Sequence, residues 1–201
     1  TGPDGAVPGP DLRLRLAALM HDIGKPATRR FMPDGTVTFH AHDYVGARMT
    51  AKRMRALHFD KQTIKDVSRL VELHLRFHGY ADSPWSDSAV RRYVTDAGPL
   101  LARLGCLTRA DVTTGNRRKA AMLSHAYDDL ERRIEALRQQ EELASIRPEL
   151  DGQEIMAELG IKPGPEVGKA YKFLLDLRME RGPIGKELAR EALHSWWATQ
   201  Q

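Results

Sequence analysis

The chain has 201 residues, of which 41% are hydrophobic and 29% charged, with a formal net charge of +4 and a single cysteine, Cys106. This length and composition predict one large or two small globular domains, and the mild positive charge permits a nucleic-acid partner without establishing one. A single cysteine excludes an internal disulfide and fits a reducing cytoplasm, and no apolar run approaches the ~20 residues of a membrane-spanning helix, which argues against a membrane partner.

A helix that ends on a histidine and an aspartate is predicted near the start of the chain. Residues 1–10 are typical of a loop or of the cut end of a longer protein, and helical spacing begins at residue 11. The helix is expected to bury one apolar face, which consists of Leu12, Leu16, Leu19, Met20 and Ile23. Gly24 and Pro26 then end it, so His21 and Asp22 lie in its last turn.

His21 and Asp22 form the first candidate metal site. An imidazole nitrogen and a carboxylate oxygen, side by side at a helix end, can reach one divalent metal ion, and the helix dipole favours a cation there. Lys25 and Arg29 follow closely and could neutralise a phosphate beside that metal. A lone His-Asp pair is also common without any such role, so the assignment depends on the rest of the chain.

The segment after this helix is predicted to form a small hairpin arm. The sequence PDG at 33–35 is typical of a turn, and residues 36–39 alternate like a short strand. The arm leads to His42, and Asp43 is expected to cap a second helix over residues 44–57.

A third helix, over residues 61–78, carries two further histidines. Its buried stripe is expected to consist of Ile64, Val67, Val71 and Leu75. His74 and His78 fall on that stripe, one turn apart. A buried histidine is more often a satisfied core residue than a ligand, but two on one face, after the earlier His-Asp pair, favour a metal site.

An aspartate on an apolar stripe is the last candidate ligand. A short fourth helix is expected after Ser86, and Pro99 opens a fifth. On that fifth helix Asp111 shares one face with apolar residues, namely Leu100, Leu104 and Leu107. A carboxylate there is costly unless it binds a metal or pairs with a cation such as Arg109, and both alternatives stay open here.

A long polar helix is predicted from Arg117 to about Arg138, within a connecting segment over residues 117–147. Its apolar residues form a narrow seam suited to packing on one other helix: Leu123, Tyr127, Leu130, Ile134 and Leu137. Arg117 and Arg118 are candidates for binding phosphate or RNA, although such charges usually form a solvated face.

The tail, over residues 148–201, is predicted to be helical. Asp151 and Glu154 form a capping-box pattern, and Pro165 suits the first turn of a helix that continues to about Arg181. The exposed amides near that start could bind a nucleic-acid phosphate, with the candidates Lys162, Gly164, Gly168 and Lys169. A plain connection between two helices explains the same pattern equally well.

These candidates occur in an arrangement that resembles the HD phosphohydrolase superfamily. His21-Asp22, His42, His74 and Asp111 follow in the same order on successive helices. Five sequence segments are similar to the C-terminal part of bacterial CCA-adding tRNA nucleotidyltransferases, particularly the actinobacterial kind. They are LMHDIGKP (19–26), FHAHDYVGA (39–47), LVELH (70–74), LDGQEIM (150–156) and LGIKPGPEVG (159–168). The resemblance covers nearly the whole chain from residue 11.

The resemblance implies a fold and a site. It implies an all-α HD-domain bundle over residues 11–116 with a hairpin arm, followed by the connecting helix and a tRNA-binding tail. The implied metal ligands are His21, Asp22, His42, His74 and Asp111, with catalytic roles for His21, Asp22 and Lys25. Oxygen and nitrogen ligands suit a divalent ion such as Mg, Mn or Ni. The further histidine that the superfamily usually supplies upstream has no counterpart here, because no histidine precedes His21.

Three functions remain open at this stage. The first is the tRNA-holding part of an enzyme that matures tRNA 3′ ends, whose nucleotide-transferring head would bear a Gly-Ser loop followed by Asp-x-Asp, which this sequence lacks. The second is a free-standing HD phosphohydrolase acting on nucleotides or cyclic phosphates. The third is a helical interaction module whose histidines are structural.

Overall fold

Helices dominate the computed structural model of the chain, which describes residues 7, 9–83, 85–111, 116–141, 143 and 146–200. The predicted all-α class is confirmed, whereas most of the predicted loop over residues 1–10 lies outside the described residues. The elements in chain order are α1 (Leu12–Met20), α2 (Lys25–Thr28), β1 (Arg30–Phe31), β2 (Val37–Thr38), α3 (His42–Ala56), α4 (Lys61–Leu73), α5 (His78–Asp82), α6 (Asp87–Ala97), α7 (Leu101–Ala110), α8 (Arg117–Gln140), α9 (Gly152–Leu159), α10 (Pro165–Arg181) and α11 (Lys186–Ala198). None of the helices described here is both long and apolar enough to cross a membrane.

The chain divides into two compact units. The first comprises Thr1–Pro84 and Ala97–Glu131, and the second comprises Trp85–Asp96 and Arg132–Gln201. The first unit therefore contains α1 to α5, α7 and the first half of α8, and it holds all of the candidate metal ligands.

The first unit is built around α3 and α4, which pack against each other, while α1 packs on both α4 and α7. Asp60 caps α4 by accepting a hydrogen bond from the Thr63 amide (2.9 Å). The core consists of fully or almost fully buried residues, among them Met54, Val67, Leu70, Val71, Phe77, Leu104, Leu107 and Tyr127. This core holds the ends of four helices close together, which positions the site described below.

The predicted buried face of α1 is correct at Met20 and wrong at Leu12 and Leu19. Leu12 and Leu19 are 59% and 78% exposed, Leu16 and Ile23 are half-buried, and Ala17 and Met20 are buried. Helix α1 packs on both α4 and α7, so the face that contains the small Ala17 side chain is the one that becomes buried. Arg13 pairs with Asp66 of α4 (2.7 Å).

The predicted hairpin is confirmed, but the predicted cap of the next helix is wrong. Strands β1 and β2 pair antiparallel, with Arg30 opposite Thr38. The N-cap of α3 is Ala41, which adopts the left-handed conformation with φ 58°. The helix itself begins at His42, so Asp43 lies inside its first turn. The earlier start places His42 in the first turn, where its ring faces the end of α1.

The predicted third helix ends sooner than expected. Helix α4 stops at Leu73, and the amides of Arg76 and His78 donate to carbonyls three residues back, which forms a tighter turn. His74 lies at the end of α4 and is buried, whereas His78 begins α5 and is exposed. The two histidines therefore do not share a face, which contradicts the prediction for His78.

The seam of α8 is largely confirmed. Its residues Tyr127, Leu130, Ile134 and Leu137 are buried, and Leu123 is half-buried. Two aspartates of α8 accept hydrogen bonds from other helices. Arg109 of α7 donates to Asp128 (2.8 Å) and the Tyr80 hydroxyl donates to Asp129.

The second unit has its own small core and one buried ionic network. Six buried residues of α9 to α11 and the segment before them form the core: Leu150, Ile155, Ala170, Leu174, Ala189 and Leu193. The predicted capping box of Asp151 and Glu154 is present at the start of α9, and α10 has the predicted bounds. Arg91 and Arg178, both buried, each donate to the buried Glu141.

Candidate metal centre

Four helix ends of the first unit meet at one point and bring five side chains together. His21 caps the end of α1 and Asp22 follows it, His42 opens α3, His74 closes α4 and Asp111 closes α7. All five belong to the set of ligands predicted from the sequence. The structure places them side by side, and their roles as ligands stay a prediction.

Gly24 makes this meeting possible. A Cβ atom on Gly24 would lie 2.2 Å from the His42 carbonyl oxygen and 2.8 Å from the Gly46 amide nitrogen. Both atoms belong to the backbone of α3, so no side-chain motion could relieve the contact. The turn after α1 therefore approaches α3 backbone to backbone, and this approach carries Asp22 to His42. From its place in the sequence, Gly24 was predicted only to end the helix.

The ligand atoms lie within the range that one ion or a pair of ions could bridge. One atom each from Asp22, His42 and His74 lie within 4.8 Å of one another. The His42 Nε2 is 3.4 Å from Asp22 Oδ1, and the His21 Nε2 is 3.3 Å from Asp22 Oδ2 and 3.1 Å from Asp111 Oδ1. The His74 ring centroid lies 5.4 Å from that of His21 and 5.3 Å from that of His42.

The three histidines are oriented by the same kind of contact. The Nδ1 atoms of His21, His42 and His74 lie 2.8, 2.8 and 2.6 Å from the carbonyl oxygens of residues three positions earlier. A carbonyl can only accept, so each Nδ1 carries a proton, and the lone pair through which each ring could bind a metal is that of Nε2. This is the arrangement that histidine ligands of metals adopt.

Two of these lone pairs are buried without a hydrogen bond. Among the described residues, the Nε2 atoms of His42 and His74 have no hydrogen-bond partner and almost no solvent exposure. The 3.4 Å contact of His42 with Asp22 is too long for a good hydrogen bond. A buried polar atom without a partner is costly, so these two nitrogen atoms are suited to coordinating a divalent metal ion.

The protonation states suit metal binding. Burial, together with the nearby His21 and His42, lowers the pKa of His74, and this outweighs the Val71 carbonyl and Asp111, which raise it. Burial raises the pKa of Asp22, but the Lys25 hydrogen bond and the neighbouring positive groups hold it below its usual value. At neutral pH this centre therefore offers an unprotonated imidazole and an ionised carboxylate.

Asp111 faces the histidines rather than the arginine that could have paired with it. Arg109 instead donates to Asp128 and Glu131 at 2.8 and 2.9 Å. Asp111 is left to approach His21, which favours the first of the two alternatives kept open for it. Close by, the buried Tyr127 stacks on Phe77 with ring centroids 3.5 Å apart. The periodicity of α8 predicted that Tyr127 is buried, but not that it lies near Asp111.

The predicted phosphate-binding residues fall into separate groups. Lys25 donates to Asp22 Oδ2 (2.6 Å) at the centre, whereas Arg29 follows α2 and lies over the Phe31 ring of the hairpin. Arg117 and Arg118 are exposed at the start of α8, where Asn116 accepts from the Arg118 amide (3.0 Å).

The tail candidates lie in the second unit. Lys162, Gly164, Gly168 and Lys169 are exposed around the start of α10, and Lys169 pairs with Glu166 (2.9 Å). An exposed group of this kind is compatible both with binding of a nucleic-acid phosphate and with a plain connection between two helices. Its role in binding phosphate stays a prediction.

A comparison with known protein families finds a match for more than half of the chain. Residues 6–116 match the HD domain family. The chain belongs to the HD domain family. Its members bind divalent metals, and the possible site of Asp22, His42 and His74 in this HD domain accords with that property.

The HD domain and the tail together are similar to two tRNA nucleotidyltransferases. The CC-adding tRNA nucleotidyltransferase of Thermus thermophilus is 38% identical over 193 residues, which is 94% of this chain and 41% of that protein. The A-adding tRNA nucleotidyltransferase of Deinococcus radiodurans is 35% identical over 196 residues, which is 96% of this chain and 43% of that protein. The resemblance inferred from the motifs is confirmed, and the chain spans about two fifths of the length of these relatives.

Proposed function

We propose that this chain binds tRNA as the body and tail of a tRNA nucleotidyltransferase, and that its HD domain carries a metal-dependent phosphohydrolase centre. The observation that carries the second part is the pair of buried Nε2 lone pairs of His42 and His74 that have no partner among the described residues. The first part is supported by the names of the relatives and by the length of the similarity.

The residues of the centre divide into ligands and phosphate-binding groups. Asp22, His42 and His74 would hold the ion, with His21 and Asp111 completing its surroundings. A bound Mg²⁺, Mn²⁺ or Ni²⁺ would lower the pKa of water and polarise a phosphoryl oxygen. Lys25 and Arg29 would then neutralise the charge of the phosphate. Lys25 must leave Asp22 Oδ2 for this purpose, since its Nζ lies 2.6 Å from that oxygen.

The contact between Lys25 and Asp22 also favours a second candidate function. It satisfies one carboxylate oxygen without any metal, as expected of an HD domain that serves only as a scaffold for tRNA. In that case the chain would bind tRNA and hydrolyse nothing. A phosphohydrolase that acts on free nucleotides is the remaining alternative.

Metal binding and hydrolysis separate these functions. We expect the purified chain, stripped with a chelator, to bind Mn²⁺ or Ni²⁺ in calorimetry and then to hydrolyse a 2′,3′-cyclic nucleotide. His42→Gln should lower metal affinity at least about tenfold, because it removes one of the ligands. The matched control is His78→Gln, since His78 is exposed on α5 and away from the predicted ligand set.

Each outcome selects one function. Salt-dependent tRNA binding without hydrolysis, whether or not a metal binds, would favour the scaffold. Hydrolysis without any tRNA binding would favour the free-standing phosphohydrolase. If His42→Gln and His78→Gln bind the metal as tightly as the unchanged chain, the proposed centre is wrong.

A further inference from the structure

An open groove runs along α3 and is bounded on its other side by α4. Its volume is about 750 Å³, and its lining includes Tyr44, Arg48, Lys52 and Arg55 of α3 with Ser68 and Glu72 of α4. We call it the α3 groove. It lies entirely in the first unit, and none of its lining residues is among the candidate ligands.

The α3 side of the groove carries uncompensated positive charge. Helix α3 contains four basic residues and one acidic residue, Asp43. Arg48, Lys52 and Arg55 are spaced by four and three positions, so they share one exposed face. None of their side chains makes an ion pair or a hydrogen bond to another residue in the described part of the chain.

The α4 side does not cancel this charge. Glu72 is the acidic residue of the lining, and Arg69 pairs with it at 3.0 Å. On the same side, the Ser68 hydroxyl is buried and has no hydrogen-bond partner among the described residues. An anion in the groove would therefore meet three cations that have no partner within the described part of the chain.

One end of the groove lies at the first turn of α3. Tyr44 follows His42 by two residues and is 58% exposed, so its ring can stack on an unpaired base. The three cations follow along the same helix, spread over about 10 Å at 1.5 Å per residue. Charges spread along a line suit a polyanion with repeated phosphates, whereas a single nucleotide would need them to converge on one point.

We infer that the α3 groove binds the phosphodiester backbone of an RNA strand, with Tyr44 stacking on an unpaired base at the end near His42. This inference rests on the proposed function in one respect, because it names the surface by which the HD domain would hold its RNA. The backbone contacts do not themselves depend on a metal at the centre.

The test compares two triple variants of the full chain in binding to a labelled RNA hairpin with an unpaired 3′ tail. The groove variant combines Arg48→Gln, Lys52→Gln and Arg55→Gln. The control variant removes the same charge from exposed arginines elsewhere, and combines Arg15→Gln, Arg138→Gln and Arg147→Gln. Circular dichroism and thermal melting establish that both variants are folded.

We expect the groove variant to bind the hairpin roughly tenfold to hundredfold more weakly near 0.1 M salt. The slope of log affinity against log salt should become shallower by about 2, at about 0.7 for each lost phosphate contact to a single strand. The control variant should change both quantities much less. Tyr44→Leu should weaken binding about fivefold or more for the tailed hairpin and leave a blunt duplex unaffected.

Equal losses in the two triple variants, or an unchanged salt slope in the groove variant, would overturn the inference. So would a groove variant that keeps its RNA affinity but loses binding to ATP or to phosphatidylserine vesicles, because the groove would then serve another anion. Asp22→Asn separates this result from the proposed metal centre. It should abolish metal binding, while its RNA affinity stays within about twofold of that of the unchanged chain. A chain that binds no metal yet loses RNA in the groove variant would refute the centre alone.

Discussion

The candidate ligands are held in place by neighbours that do no chemistry themselves. Each histidine donates a hydrogen bond from Nδ1 to a carbonyl three residues earlier, so Nε2 is the ring atom that can face the centre. Gly24 has no Cβ atom, and a side chain there would collide with the backbone of α3. Its φ of −78° is an ordinary helical value, so the requirement for glycine is steric rather than conformational.

Gly24→Ala is therefore expected to damage both stability and metal binding. The methyl group must push the turn after α1 away from α3, at a cost of about 1–3 kcal/mol, and this separates Asp22 from His42. Urea denaturation and Mn²⁺ calorimetry measure the two effects. Gly168→Ala is the matched control, because nothing lies within 4 Å of the position of its Cβ. Alanine there should be neutral or slightly stabilising within α10. A Gly24→Ala protein with unchanged stability and affinity would contradict this account.

At the scale of elements, Asp11 ties the start of α1 to α7. Its Oδ1 accepts from the Leu14 amide (2.8 Å), which caps the helix. Its carboxylate also accepts hydrogen bonds from two guanidinium nitrogens of Arg103, at distances of 2.7 to 3.2 Å. The Arg103 hydrogen bonds hold the pKa of Asp11 below its usual value, helped by the Leu14 amide and the nearby Arg13, although burial opposes this shift.

This pKa predicts a definite pH dependence for Asp11→Asn. Asparagine still caps the helix, so the variant loses mainly the charged pair with Arg103. The folded pKa of Asp11 is lowered from 3.8, so the stabilisation by the carboxylate is complete above about pH 4 and disappears as the pH falls through the lower folded value. Urea denaturation of both proteins between pH 6 and pH 3 should show a stability difference that closes with acid. A difference that is constant with pH would argue against the ion pair as its source.

At the scale of the whole molecule, the two units carry different spectroscopic probes. All three tryptophans, Trp85, Trp196 and Trp197, belong to the second unit, whereas the candidate ligands all belong to the first. Tryptophan fluorescence therefore reports on the unfolding of the second unit, and metal binding reports on the integrity of the first.

Glu141→Ala should affect the tryptophan signal selectively. It leaves the buried guanidinium groups of Arg91 and Arg178 without their shared carboxylate, which costs about 3–5 kcal/mol in a buried pair. We expect a large fall in the urea midpoint followed by tryptophan fluorescence, with Mn²⁺ affinity in the absence of urea within about twofold. The control, Glu135→Ala, removes an exposed carboxylate of α8 and should change stability by no more than about 0.5 kcal/mol. Loss of metal affinity in Glu141→Ala would show that the two units are not independent.

Much of the secondary structure and the set of candidate ligands could be predicted from the amino-acid sequence alone. The capping box at Asp151, the proline at the start of α10 and the hairpin before α3 are local features, and each depends on residues within a few positions of one another. The candidate ligands could be predicted because a His-Asp pair, two further histidines and an aspartate follow along the chain in a family-specific order, although only His21 and Asp22 were predicted to end a helix. Their order along the chain is a property of the sequence, and their roles await the metal-binding experiments.

Only the tertiary structure decided which faces and atoms meet. The packing of α1 on both α4 and α7 decides its buried face and leaves Leu12 and Leu19 exposed, and the tight turn after Leu73 separates His78 from His74. The approach at Gly24 and the pairing of Arg109 with α8 leave Asp22 and Asp111 facing the histidines. These outcomes depend on contacts between residues far apart in the chain, and the periodicity of a single helix carries no information about the partner against which it will pack.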